Sequence, residues 1–94
     1  LALLLAAGAA HAQPTGAIAG TVRDAVSGET LVGANVWLVG TQTGTATDVE
    51  GHFVIRDVPA GTHAVRVAYI GYHPYFWPSV HVNEGRETRL DAAL

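Results

Sequence analysis

From Thr15 onward, apolar and polar residues alternate with a period of two, interrupted every few positions by Gly or Pro. No window sustains an i, i+3, i+4, i+7 repeat, so the pattern predicts strands throughout and no amphipathic helix. Ile18, Gly20 and Val22 share one face of a first strand, which ends at a turn over Ser27-Gly28-Glu29. Ala34, Val36 and Leu38 form one face of a second strand, with Asn35, Trp37 and Val39 opposite. Gly40 to Gly44 reads as a loop, and Thr45 to Asp48 as a short third strand. Asp48-Val49-Glu50-Gly51 predicts a tight turn with Gly51 at positive φ and the Asp48 carboxylate closing onto the backbone of Glu50 or Gly51. Phe53 and Ile55 mark a fourth strand, and Val58-Pro59-Ala60-Gly61 the next turn. His63, Val65, Val67 and Tyr69 share one face of a fifth strand, Val80 and Val82 mark a sixth, and Thr88, Leu90, Ala92 and Leu94 a seventh.

Seven short strands joined by Gly- and Pro-bearing turns predict an all-β domain, a two-sheet β-sandwich. Its interior is expected to hold Ile18, Val22, Val36, Leu38, Phe53, Ile55, Val65, Val67, Val80, Val82 and Leu90, with His63 inward at the core's margin.

The first twelve residues break the pattern. Ten of Leu1–Ala12 are apolar, and they carry nearly all of the chain's net hydropathy. A run this short does not cross an apolar layer of about 30 Å at 1.5 Å per residue. Ala10-His11-Ala12 places small residues at −3 and −1 before Gln13. Together these are the apolar core and cleavage site of a secretory signal peptide. Residues 1–12 are therefore expected to be a cleavable signal peptide, and 13–94 the mature domain. The chain opens on Leu1 and contains no Met, so it is read as beginning downstream of its initiator. No Cys follows the cleavage site to take a lipid anchor.

Charge and cysteine content narrow the chemistry. Five basic residues, all Arg, stand against eight acidic ones, for a formal charge of −3. No cationic field is available to hold nucleic acid. Without Cys there is no disulfide framework, thiolate nucleophile or Cys-based zinc site.

The turn residues spell a longer pattern: Gly20-Thr21-Val22-Arg23-Asp24, Ser27-Gly28-Glu29-Thr30-Leu31-Val32-Gly33-Ala34-Asn35-Val36, Gly40-Thr41, Gly44, Thr47-Asp48, Gly51-His52-Phe53, Val58-Pro59-Ala60-Gly61 and Ala68-Tyr69-Ile70-Gly71-Tyr72. From about residue 15 to 94 this resembles the carboxypeptidase regulatory-like domain of bacterial cell-envelope proteins. The resemblance implies a seven-stranded transthyretin-like (prealbumin-like) β-sandwich. It also implies a non-catalytic accessory role. Members commonly stand at the N-terminus of TonB-dependent outer-membrane receptors, after the signal peptide and ahead of a plug and barrel. In metallocarboxypeptidases the same domain follows the catalytic one, whereas here it follows a leader. Gly28, Gly33, Asp48, Gly51, Pro59, Gly61 and Gly71 are then scaffold positions. Gly28, Gly44, Gly51 and Gly61 serve turns, and Gly33-Ala34 allows close backbone approach where a strand begins.

Residues that could carry chemistry are few. His81-Val82-Asn83-Glu84 has the spacing of an H-x-x-E zinc pair, but positions i and i+3 of a strand point to opposite faces. Asp48 and Glu50 fall short of a calcium loop. No Ser-His-Asp set has spacing support, and no metal or cofactor is implied. The unusual stretch is Tyr69–Trp77, which holds five of the seven aromatics in nine residues. Tyr69, Ile70 and Tyr72 are expected to pack at the sandwich edge. Tyr75, Phe76 and Trp77, between Pro74 and Pro78, are expected on a loop or an irregular strand start, with at least one exposed. They either cap the small core, meet another domain of the same receptor or a periplasmic protein, or stack on a sugar. The functional expectation is an exported, periplasmic or outer-membrane accessory domain without catalysis. The alternative is a carbohydrate-binding module of starch-binding-like fold.

Overall fold

A computed structural model describes residues 14–94, which form seven strands and no helix. The expected signal peptide lies outside the described residues. The strands are β1 (Thr15–Arg23), β2 (Asn35–Leu38), β3 (Gly44–Ala46), β4 (His52–Pro59), β5 (Gly61–Ala68), β6 (Tyr75–Val82) and β7 (Glu87–Ala93). They divide into a three-stranded sheet, β4-β1-β7, and a four-stranded sheet, β3-β2-β5-β6. β1 runs antiparallel to β4 but parallel to β7, and every pair in the larger sheet is antiparallel. The two sheets face each other over one core, where Ile18, Val22, Val36, Val58, Val65, Val67 and Val82 are the largest fully buried side chains.

The period-two pattern places ten of the eleven expected interior residues in the buried core; Leu90 packs against its margin, half-buried on edge strand β7. Leu31, Ala34, Val58 and Ala92 join them. Val58 corrects the expected turn. β4 continues to Pro59, and its register against β1 shifts between Gly16 and Ile18. Asp57 takes a φ of 56° there, so an extra residue resets the alternation and turns Val58 inward. A second shift, opposite His63 and Val65, falls at Pro78-Ser79 of β6 and does the same for Val80. Proline has no N–H for a ladder, and this position on an edge strand is where a sheet tolerates it.

Close backbone approach occurs at Gly20, where a Cβ would run into the carbonyl of Leu90 on β7. The expected roles of Gly33 and Gly44 are exchanged. Gly33 has a φ of 81° and open space where a side chain would be, so it serves the turn conformation. Gly44 lies in β3, where a Cβ would come within 2.7 Å of the Trp37 Cβ. The third strand correspondingly starts one residue earlier than expected and ends two earlier, at Ala46.

Thr47, just beyond it, is 5% exposed and joins two of the four passages between the sheets, β1→β2 and β3→β4. Its hydroxyl accepts from the Ala34 amide at 2.9 Å and donates to the Leu31 carbonyl at 2.5 Å. Its own amide donates to the Ala34 carbonyl at 2.9 Å, and its carbonyl accepts from the Gly33 amide at 3.0 Å. Asp48 then organises the turn into β4. Its Oδ1 accepts from the amides of Glu50 at 2.9 Å and His52 at 3.0 Å, which hold the carboxyl below its ordinary range, His52 contributing most. Asp24 does the same after β1, accepting from the amides of Val26 at 2.7 Å and Ser27 at 2.9 Å and from the Tyr72 hydroxyl at 2.6 Å. The Tyr72 hydrogen bond is the largest of the influences that bring Asp24 down to about 2. Asp91 is lowered chiefly by the Thr21 hydroxyl, 2.9 Å away.

Two predictions follow from these contacts. Thr47→Val keeps the shape but leaves a buried amide and carbonyl unpaired, and should cost about 2–4 kcal/mol by urea denaturation; a loss below about 0.5 kcal/mol would refute the hub role. Depressed carboxyls stabilise the fold above their unfolded pKa near 4 and stop doing so as pH falls toward the folded value. The thermal midpoint should therefore be level from about pH 7 to pH 5 and drop between about pH 4 and pH 2. Tyr72→Phe should flatten that drop, and an unchanged acid slope would show that the Asp24–Tyr72 bond does not cause it.

Candidate interaction surface

The aromatic stretch after β5 begins as a turn in which the Tyr72 amide donates to the Tyr69 carbonyl at 3.1 Å. The two rings lie 5.6 Å apart and pack on the core margin. Ile70 departs from expectation. It sits at the tip of the turn, 91% exposed, because Gly71 at a φ of 86° reverses the chain just after it. The Tyr72 hydroxyl is tied to Asp24, and the neighbouring carboxylate raises its pKa.

Of the two expected settings, a loop or an irregular strand start, Tyr75, Phe76 and Trp77 take the second. They open β6 and pair with Val67, Arg66 and Val65 of β5. Directly opposed residues in an antiparallel pair share a face. Tyr75 and Trp77 therefore point with Val67 and Val65 toward the opposing sheet, and Phe76 points with Arg66 to the outside. Trp77 is half-buried against the core. Tyr75, 41% exposed, leans on it at 4.7 Å between centroids and 49° between planes. Phe76 is 51% exposed on the other face. The three consecutive aromatics thus make two surfaces: a tilted rim pair beside the open edge of β6, and one member of the outer face.

That outer face holds what the sequence reading did not single out. The register places Gly44, Trp37, Arg66 and Phe76 in one row across all four strands. The Arg66 guanidinium carbon lies 5.9 Å from the centre of the Trp37 ring, at the limit of cation–π contact. Beside Trp37 is a shallow trough of about 410 Å³ between β2 and β3, lined by Asn35, Gln42, Gly44, Thr45 and Ala46. The signal was in the sequence as Trp37 and Arg66 on outward positions of adjacent strands, but only the pairing register brings them together.

The remaining scaffold positions lie at turns. Gly28, Gly51 and Gly61 have φ values of 76°, 77° and 134°. Pro59 ends β4, and its carbonyl accepts from His63 Nε2 at 2.6 Å, which keeps that inward-facing imidazole partnered. His81 lies on β6 and Glu84 in the turn beyond it. Among the described residues no three His, Asp or Glu side chains gather closely enough to hold a metal ion.

Comparison with known proteins gives this arrangement a lineage. Over 61 residues, 65% of this chain, it is 43% identical to the TonB-dependent receptor SusC of Bacteroides thetaiotaomicron, of which it covers 6%. Among solved structures, it resembles a chain of a type II cohesin–X–dockerin complex from Acetivibrio cellulolyticus, with a TM-score of 0.68 and 27% identity. That match covers 81% of this chain and 51% of the other. A candidate carbohydrate-binding protein from Bacteroides uniformis shares the fold alone, at a TM-score of 0.64 and 21% identity over 85% of this chain and 41% of that one. The carboxypeptidase regulatory-like domain profile matches residues 17–94, and the chain belongs to that family.

Proposed function

We propose that this chain is a non-catalytic accessory domain of an exported envelope receptor of the TonB-dependent type. In this reading residues 1–12 are its signal peptide, residues 13–94 stand in the periplasm, and the domain meets the rest of the receptor or a periplasmic protein. The 43% identity to SusC carries the reading. The geometry supports it: the family pattern is spent on turns and on the Thr47 hub, which are scaffold tasks.

The contact surface in this reading is the rim of β6. Tyr75 is exposed there beside the half-buried Trp77, on a strand whose outer edge pairs with no strand among the described residues. A tilted pair of rings is poorly shaped for a sugar, which stacks on one open aromatic face. It suits an inserted apolar side chain, and aromatic anchors of this kind dominate protein contacts.

Photo-crosslinking from the full-length gene product in its native envelope tests both parts. A benzophenone side chain at Tyr75 should give adducts with another segment of the receptor or with a periplasmic protein, while the same probe at Val54, on the opposite sheet, should give none. Equal labelling from both positions would reject the rim as the contact. Export is tested by N-terminal sequencing of the envelope protein: a start at Gln13 is expected, and a start upstream of it rejects the leader.

A further inference from the structure

We propose that the outer face of the four-stranded sheet binds an acidic glycan segment, with one sugar ring stacked on Trp37 and its carboxylate held by Arg66. Five observations converge there. The row Gly44–Trp37–Arg66–Phe76 is set by strand register, so its spacing is fixed by the sheet and does not depend on loop conformation. Trp37 and Phe76 stand two strand spacings apart, about 9.5 Å, a span suited to successive rings of an oligosaccharide. The trough beside Trp37 exists because Gly44 and Ala46 leave β3 almost without side chains, and its volume of about 410 Å³ accommodates a sugar ring.

The donors around the trough are unspent. The side chains of Asn35, Gln42 and Arg66 enter none of the side-chain hydrogen bonds among the described residues, and the single ion pair there is Arg89–Asp91. Amides and a guanidinium beside an aromatic face are the chemistry that orients hydroxyls and a carboxylate over a stacked ring.

Charge selects an acidic ligand. The chain carries eight Asp and Glu residues, yet none lies on β2, β3, β5 or β6. Arg66 is the one Arg on those strands. On a protein of net charge −3, this is a face that offers an anion one Arg and, on its own strands, no carboxylate. A sugar acid fits better than an acidic peptide. The backbone groups inside a sheet are already paired, so its face offers an extended peptide no ladder; peptides add at edges.

The test is an NMR titration of the chain with three probes: a galacturonate tetramer, the neutral glucose tetramer maltotetraose, and a pentaglutamate peptide. The galacturonate tetramer should move the Trp37 indole N–H and the side-chain amides of Asn35 and Gln42, less so as salt is raised. Trp37→Ala should abolish the shifts. Arg66→Gln, which removes no packing from the core, should weaken galacturonate binding roughly tenfold while the spectrum stays dispersed. The proposal is overturned if galacturonate leaves these signals still, if the shifts map to Tyr75 and Trp77, if Arg66→Gln binds as tightly as the parent, or if pentaglutamate moves the same signals as strongly. A blank titration on folded protein removes the glycan site and leaves the accessory-domain reading to its own crosslinking test.

Discussion

One buried threonine ties together two of the four passages between the layers. A two-sheet sandwich must pass its chain from one sheet to the other, and wherever it crosses, backbone groups leave the ladders and need other partners. Here the crossovers β1→β2 and β3→β4 lie side by side, and Thr47 satisfies both. Four hydrogen bonds, two through its backbone and two through its hydroxyl, tie it to Leu31, Gly33 and Ala34. Leu31 and Ala34 are themselves buried, so the bonds form where water would otherwise have to enter. No buried side-chain polar atom among the described residues is left without a partner. In a domain with no disulfide to staple its layers, this polar joint holds these two crossovers in place while the Val- and Ile-rich core fills the space between.

The carboxylates around that joint act on the turns. Asp24 gathers two amides and a tyrosine hydroxyl, Asp48 two amides, and Asp91 the amide and hydroxyl of Thr21. Each fixes a backbone reversal or a strand pairing, and each is lowered by the bonds it accepts. The Asp24–Tyr72 bond spans 48 residues of sequence and links the loop after β1 to the aromatic turn after β5. It anchors the turn whose Tyr69 and Tyr72 rings pack on the core margin.

What the sequence disclosed, and what it hid, follows from the range of the interactions. Strict alternation exposed the strands and most of the core, because side-chain direction in a strand depends only on parity. Parity fails at a bulge. Val58 lies three residues past Ile55 and would face outward but for the extra residue at Asp57, whose left-handed φ nothing in the local sequence announces. Gly33 and Gly44 look alike as letters. Only the turn geometry at one and the Trp37 side chain at the other tell a conformational glycine from a spatial one. Thr47 was legible as part of the family pattern, but its hydroxyl's two partners lie 13 and 16 residues upstream, beyond any local rule. The aromatics show the same limit. Tyr75, Phe76 and Trp77 are contiguous in the chain and divided in space, whereas Trp37 and Phe76 are distant in the chain and joined by register.

The same geometry divides the molecule's charge. Turn-making and the pairing of β1 with β7 consume acidic side chains, and this places carboxylates on the three-stranded sheet and on the loops. The four-stranded sheet is built from antiparallel pairings, two of them between consecutive strands, and none of its strands carries an acidic residue. Its edges carry other devices: β3 is only three residues long, and β6 is interrupted by Pro78, which removes a donor from the exposed edge. Short or proline-broken edges resist pairing with stray strands. Association through those edges is thereby disfavoured, and the surfaces proposed for recognition lie elsewhere: the rim pair of Tyr75 and Trp77 and the row through Trp37 and Arg66. The two differ in chemistry, one apolar and tilted, the other planar with a cation and free amides. On the two proposals above, a protein neighbour at the rim and a polar ligand on the face would therefore occupy separate ground.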